Sequence, residues 1–364
     1  MTTDDRNDLP VLLIHNIDPE WPEADALYAR KQASEALRAL RSVGHPVTSV
    51  TVRQPDLKRV LRRYSPDEYI VFNWCEGLPG VDRSEPQVAR ELEALGFTFT
   101  GGSSSVLDLS CDKARSREAM LKARVPIPVG RIFEKLDGAR WDRFPAIVKP
   151  VLEHSSIGIS AESVVENRTQ LRKQLESVLE EFGPALVEEF IDGREFRVAV
   201  WGSRRPTAMP PGEMDFMKFH SLRERLCTYD AKFTPGSEHY EKILFHLPAL
   251  VTRIEGNLLA RAAVAAHRAV GSPDYSRVDL RLREGTAYVL DVNPNADIAS
   301  DASMALCAQA AGVGYGAMLS HFVNLAAARH PVFAHQKRAV VNERRPVQLP
   351  LAMADKNAAR VLFD

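Results

Sequence analysis

Short unbroken apolar runs alternate with stretches of helical spacing along the front of the chain. VLLIHN (11–16), PVTSVTV (46–52) and EYIVFN (68–73) have the length and bulk of buried strands. Between them, 23–43 places apolar residues at helical spacing up to Gly44, and 85–95 does so up to Gly96. This alternation predicts an open α/β layer with a mostly parallel sheet. Ligands of such sheets sit at the carboxyl ends of the strands, where NWCEG (73–77) falls.

The pattern changes after GGSSS (101–105), a flexible break. A helix is predicted over 106–124, a strand at FPAIVKP (144–150), a polar loop at LEHSSIGIS (152–160) and a helix over 168–182. ALVEEFIDGREFRVAVWG (185–202) reads as two strands joined by a turn at Asp192-Gly193. Residues 203–247 are irregular and charged, and helix returns at 248–270. A hairpin spans RVDLRLREGTAYVLDVNPNAD (277–297), and helices follow near 301–311 and 315–329. The expected division is an α/β domain at 1–107, α+β subdomains at 108–184 and 185–330, and a surface tail at 331–364.

Composition narrows the function without identifying it. The 364 residues carry 47 basic and 48 acidic groups for a net charge of -1, which gives no long-range field for nucleic acid. No apolar run approaches the ~18 residues of a membrane span. MTTDDRNDLP, acidic and polar, is not expected to act as a signal peptide. The four cysteines and ten histidines form no C-x-x-C or H-E-x-x-H, so a disulfide framework or zinc site is not expected and a reducing cytoplasm is.

The candidate chemistry lies in five segments. In the hairpin, residues two apart share a face, so Val289, Asp291 and Asn293 point one way and Asp279 reaches them from the partner strand. Two carboxylates and an amide oxygen form a hard site suited to Mg²⁺ beside phosphates. The plainer alternative pairs these acids with Arg277 and Arg281. Lys149 ends an apolar strand and precedes Ser155, Ser156 and Gly158, a set suited to a phosphate chain, although the segment is not the G-x-x-x-x-G-K-S/T loop. In LVEEFIDGREFRV, Glu188 can accept from an adenine amino group, Phe190 can cover the ring, and Glu195 can accept from ribose hydroxyls. Lys232 in YDAKF and Lys113 on a helix read alone as solvated side chains.

In order and spacing, FNWCEG, FPAIVKP, HSSIGIS, LVEEFIDGREFRVAV, YDAKF, SRVDLRL and LDVNPN resemble the ATP-grasp superfamily, and within it the D-alanine–D-alanine ligase group, over roughly residues 68–325. The resemblance implies an ATP-grasp fold behind an N-terminal α/β domain. It implies that Lys113 and Lys149 bind phosphates, and that Ser155 and Ser156 cover the γ-phosphate. Glu188, the backbone of Glu189, Phe190 and Ile191, and Glu195 would hold adenosine. Lys232 would touch the phosphates, Arg277 would face the transferred phosphoryl group, and Asp279, Asp291 and Asn293 would hold Mg²⁺ or Mn²⁺. Arg277, Lys232 and Ser155 are then the expected catalytic residues. The implied reaction joins a carboxylate to an amine through an acyl phosphate, in a homodimer acting on an amino acid or a metabolite derived from one. Cyclisation within one molecule, a different nucleophile, and a nucleotide-binding protein without turnover are the alternatives. An NAD-dependent oxidoreductase is disfavoured, since no G-x-G-x-x-G follows VLLIHN.

The chain also departs from that group. LLIHNIDPEWPEAD lacks the glycine-rich turn that receives the first amino acid, and Glu20, Glu23 and Asp25 are the available acids. PNADIASDAS carries Asp297 and Asp301 where neutral donors accept the second substrate's carboxylate, and HSS replaces GSS in the phosphate loop. The expectation is a retained ATP site with a changed acceptor site.

Overall fold

The computed structural model describes residues 5–336 apart from 137, 139, 155 and 235. Most of the 331–364 tail, from 337 onward, lies outside the described residues, as does Ser155.

The front of the chain forms a parallel sheet in the order Val47–Val52, Val11–Asn16, Ile70–Trp74, Thr98–Phe99. All six residues of VLLIHN are buried. Helix Glu23–Ser42 packs on the sheet through Ala26, Ala33, Ala36 and Leu40. The helix Glu85–Ala94 ends before Gly96, whose φ of +80° suits a residue without Cβ.

A second, antiparallel sheet runs Gly130–Phe133, Ala185–Glu189, Ala146–Pro150, Val164–Val165. Helix Arg168–Phe182 covers it with Leu171, Leu175 and Val178, one stripe at helical spacing. A third sheet has six strands, with Arg194–Trp201 and Tyr275–Arg283 at its centre and Thr286–Asn293 at one edge. Helix Arg253–Val270 covers it and begins with a Thr252–Glu255 capping box. Helices Ser303–Ala310 and Tyr315–Ala327 return to the first sheet, and Met304, Phe322 and Val323 share one core with Leu13, Phe72 and Tyr275.

Four expectations change. The helix expected over 106–124 is two helices, Ser104–Ser110 and Lys113–Lys122, because Asp112 caps the second by accepting from the amides of Ala114 and Arg115. The strands of 185–202 are not a hairpin: Ala185–Glu189 lies in the second sheet and Arg194–Trp201 in the third. Their link presses so closely on Tyr275–Arg283 that a Cβ at Gly193 would stand 2.3 Å from the Leu282 carbonyl oxygen. The stretch 203–247 holds strands Gly212–Asp215 and Leu244–His246 and the short helices Tyr229–Phe233 and Glu238–Lys242. The helix expected from 248 starts at Arg253.

Candidate functional site

Between the second and third sheets, and roofed by the strand ends of the first, lies a cavity of about 560 Å³. Strand Tyr275–Arg283 sends Arg277, Asp279 and Arg281 into it, three alternate residues of one face. Across the hairpin, Asp291 pairs with Asp279 and Asn293 with Arg277. The turn at Glu284-Gly285 has φ of 49° and 74°, the two left-handed residues of a tight hairpin.

The register slips between Asp279 and Leu280, and Val289 then stands opposite Leu280. The extra residue reverses the alternation. Val289 and Val292 therefore both enter the core, while Leu290, Asp291 and Asn293 line the cavity. The expectation that Val289 shares a face with Asp291 is corrected by this bulge, yet the three oxygen-bearing side chains do converge. Among the described residues no group of three or more His, Cys, Asp or Glu is placed to hold a metal ion. A divalent ion at Asp279, Asp291 and Asn293 would thus depend on phosphate oxygens for the rest of its shell. The all-oxygen donor set fits Mg²⁺ on those terms.

Arg277, 6% exposed, donates to Asp279 from Nε at 3.0 Å and from Nη2 at 3.3 Å. This is the plain ion pair that the sequence offers as the alternative to a metal site at Asp279. Lys149 contacts Glu188, whose other oxygen accepts from Arg117 at 2.9 Å. Lys113 donates to the Glu153 carbonyl, and burial pulls its ammonium below the usual range while Asp291 opposes the shift. It is the first residue of its helix, the wrong end of the dipole for a cation, and a nearby phosphate would offset that cost.

Segment 188–195, expected to hold adenosine, is more occupied than its sequence implies. Glu189 N–H donates to Val129 O at 2.8 Å and Phe190 N–H to Pro145 O at 2.9 Å. Among the described residues, Ile191 N–H meets no backbone acceptor. Arg281, 3% exposed, donates from Nε to Glu195 and from Nη1 to Ile191 O, each at 2.8 Å, and from Nη2 to Arg225 O. Its guanidinium lies 4.5 Å from the centre of the Phe190 ring. Arg281 was expected, if anything, beside the metal acids. Its place two residues after Asp279 on a strand is the signal that puts it in the cavity.

Ser156 donates to Cys227 O at 3.1 Å, so the segment expected to bind phosphate touches the stretch before helix Tyr229–Phe233. Lys232 lies on that helix. His154 lines the cavity, and its buried Nε2 meets no hydrogen-bond partner among the described residues. Burial first, then Lys113, lowers its pKa. Sequence reasoning also missed Glu85, which accepts from Asn295 at 2.6 Å and is pushed up to about 7 by burial. Glu20, Glu23 and Asp25 do not line the cavity.

Residues 132–324, more than half of the chain, match the family described as D-ala D-ala ligase C-terminus. The chain is 30% identical over 319 residues to the uncharacterized protein y4sG of Sinorhizobium fredii, covering 85% of this chain and 90% of that one. It is 29% identical over 299 residues to the D-alanine–D-alanine ligase of Desulforudis audaxviator, covering 80% and 91%. Its fold is similar to the crystal structure of D-alanine–D-alanine ligase from Bacillus anthracis complexed with ATP, at a TM-score of 0.66 and 18% identity, covering 88% of this chain and 98% of that one.

Proposed function

We propose, from the premise that this chain belongs to the D-alanine–D-alanine ligase family, that it is an ATP-dependent ligase joining a carboxylate to an amine. The observation that carries the reading is one cavity in which Lys113, Lys149 and Arg277 face Asp279, Asp291 and Asn293. Cations for a phosphate chain and hard oxygens for its counter-ion meet there, at the ends of three sheets.

The substrate carboxylate attacks the γ-phosphorus, the bond to the β-phosphate oxygen breaks, and ADP leaves an acyl phosphate. The amine then attacks the acyl carbon, a C–N bond forms, and phosphate departs as the amine loses a proton. Bound at Asp279, Asp291 and Asn293, Mg²⁺ would draw charge from the phosphate oxygens. Lys149, Arg277 and Lys232 would do so from the protein side, as preorganised charges rather than reacting groups, and the Ser155 hydroxyl is assigned to hydrogen-bond the γ-phosphate. Glu188 fixes the Lys149 ammonium. The 152–158 loop and the 221–228 stretch, bonded through Ser156, exclude water from the acyl phosphate. The proposal extends to a cytoplasmic homodimer, and no helix among the described residues is long and apolar enough to cross a membrane.

ADP release and product mass over a panel of acids and amines test the reading. The product mass should equal the two substrates minus water. ADP release by wild type that survives unchanged in Asp291→Ala would sink it, as would absence of ADP with every pair.

A further inference from the structure

His154 is the residue by which HSS departs from GSS, and the ligase reading gives its ring no task. Among the described residues it is the one histidine that lines the cavity. Its Nε2 is buried and meets no hydrogen-bond partner among them. The ring does bond to the backbone of Cys111, in a sense that favours the charged form, so the Cys111 carbonyl accepts. With Nε2 unpartnered, the donor is Nδ1–H. That bond orients the ring and leaves a bare lone pair on Nε2 of the neutral imidazole. A buried nitrogen without a partner costs about 1–3 kcal/mol, which a ligand can recover.

The groups facing the ring decide what that ligand is. Burial and then Lys113 hold the imidazole below its usual pKa, while Asp291 and Glu153 oppose the shift. The Glu153 carboxylate is already held by Arg83, and its carbonyl by Lys113. Asp291 is the carboxylate assigned to the divalent ion. Lys149 lies close enough to depress the Lys113 ammonium, and both lysines line the cavity with His154. A second metal ion on the Nε2 lone pair would be repelled by Lys113. An anion with several oxygens would be attracted by both lysines, and its charge would favour a proton on Nε2.

We propose that His154 is a phosphate ligand that works in its protonated form: as nucleotide binds, Nε2 takes one proton from solvent and donates it in a hydrogen bond to the terminal phosphate, while Nδ1–H keeps the Cys111 carbonyl. This rests on the ligase reading and adds a residue and a proton to it. No bond to phosphorus changes in the step. Because the bound form holds the proton and the free form does not, nucleotide binds more tightly as pH falls. The gain is full in acid and is lost as pH rises through the pKa of the bound imidazole. Ser156, two residues on, ties the same loop to the Cys227 carbonyl, so the new bond also anchors the 152–158 loop over the phosphates.

Calorimetric titration of the full-length protein with Mg²⁺ and the non-hydrolysable imido analogue of ATP, at neutral pH in two buffers of different protonation enthalpy, counts the protons taken up. Wild type should take up about half a proton or more per nucleotide beyond His154→Gln. The variant should bind the analogue about tenfold or more weakly, the worth of a hydrogen bond between charged groups, and should lose less for ADP. His154→Lys, a fixed cation, should recover affinity without the proton uptake, a result that a ring merely packing the loop would not give. Proton counts that match in wild type and His154→Gln overturn the proposal, and so does affinity that both substitutions leave unchanged. The wild-type titration separates the two readings. If the analogue does not bind, the ligase assignment falls; if it binds and the proton counts match, the assignment of His154 alone falls.

Discussion

Replacing Arg281 with methionine removes a cavity cation that makes three hydrogen bonds. Its guanidinium holds Glu195 and Ile191 O, each at 2.8 Å, and also the Arg225 carbonyl. Both charges of the pair are interior, with side chains 3% and 10% exposed. Removing one partner strands the Glu195 carboxylate, a loss of about 3 kcal/mol or more for a buried pair. Unfolding entropy of about 2.1 cal/mol/K per residue over 364 residues amounts to roughly 0.8 kcal/mol/K, so the melting temperature should fall by about 4 °C. The double variant Arg281→Met, Glu195→Gln should recover at least half of that, because its neutral amide needs no counter-charge. Differential scanning calorimetry reads both, and the ATP concentration for half-maximal ADP release should rise in the single variant as Glu195 and the 225 loop lose their anchor. An Arg281→Met protein that melts within 1 °C of wild type, or a double variant no better than the single, refutes the reasoning.

Other consequences follow from single contacts. Glu85 has its carboxyl raised from 4.5 to about 7, so its protonated form belongs to the fold. Its contribution is full below about pH 4.5 and is lost as pH rises through about 7, a swing on the order of 3 kcal/mol that should vanish in pH-dependent melts of Glu85→Gln. Gly193→Ala sets a Cβ against the Leu282 carbonyl oxygen and should cost about 2 kcal/mol or more by thermal melt. Asp112→Ala removes the cap of the helix that starts at Lys113 and should cost about 1 kcal/mol, with the ATP requirement of ADP release rising as Lys113 loses its placement.

Elements set by local periodicity were legible. Helix Arg168–Phe182 announces itself through Leu171, Leu175 and Val178, and the buried strand Val11–Asn16 through the apolar run Val11–Ile14. The convergence of Asp279, Asp291 and Asn293 was legible from a tight turn and a period of two, but the bulge that sends Val289 inward was not, because one inserted residue leaves no compositional mark. The parting of Ala185–Glu189 from Arg194–Trp201 was hidden for a different reason: pairing is decided by distant partners, here Ala146–Pro150 and Tyr275–Arg283. Strands of three or four residues, such as Leu244–His246 and Gly212–Asp215, are too short to establish a period against charged neighbours. Arg281 and Glu85 were missed because each acts through tertiary contacts, with Glu195 and with Asn295.

The central claim is that the hairpin acids bind a divalent ion shared with a nucleotide. Calorimetric titration of ATP into wild type and Asp291→Asn, each with and without Mg²⁺, measures it most directly. The account predicts that Mg²⁺ tightens binding to wild type at least tenfold and does little for the variant, whose melting temperature stays near that of wild type. Binding that ignores Mg²⁺, or a variant that keeps the whole of its benefit, contradicts the claim.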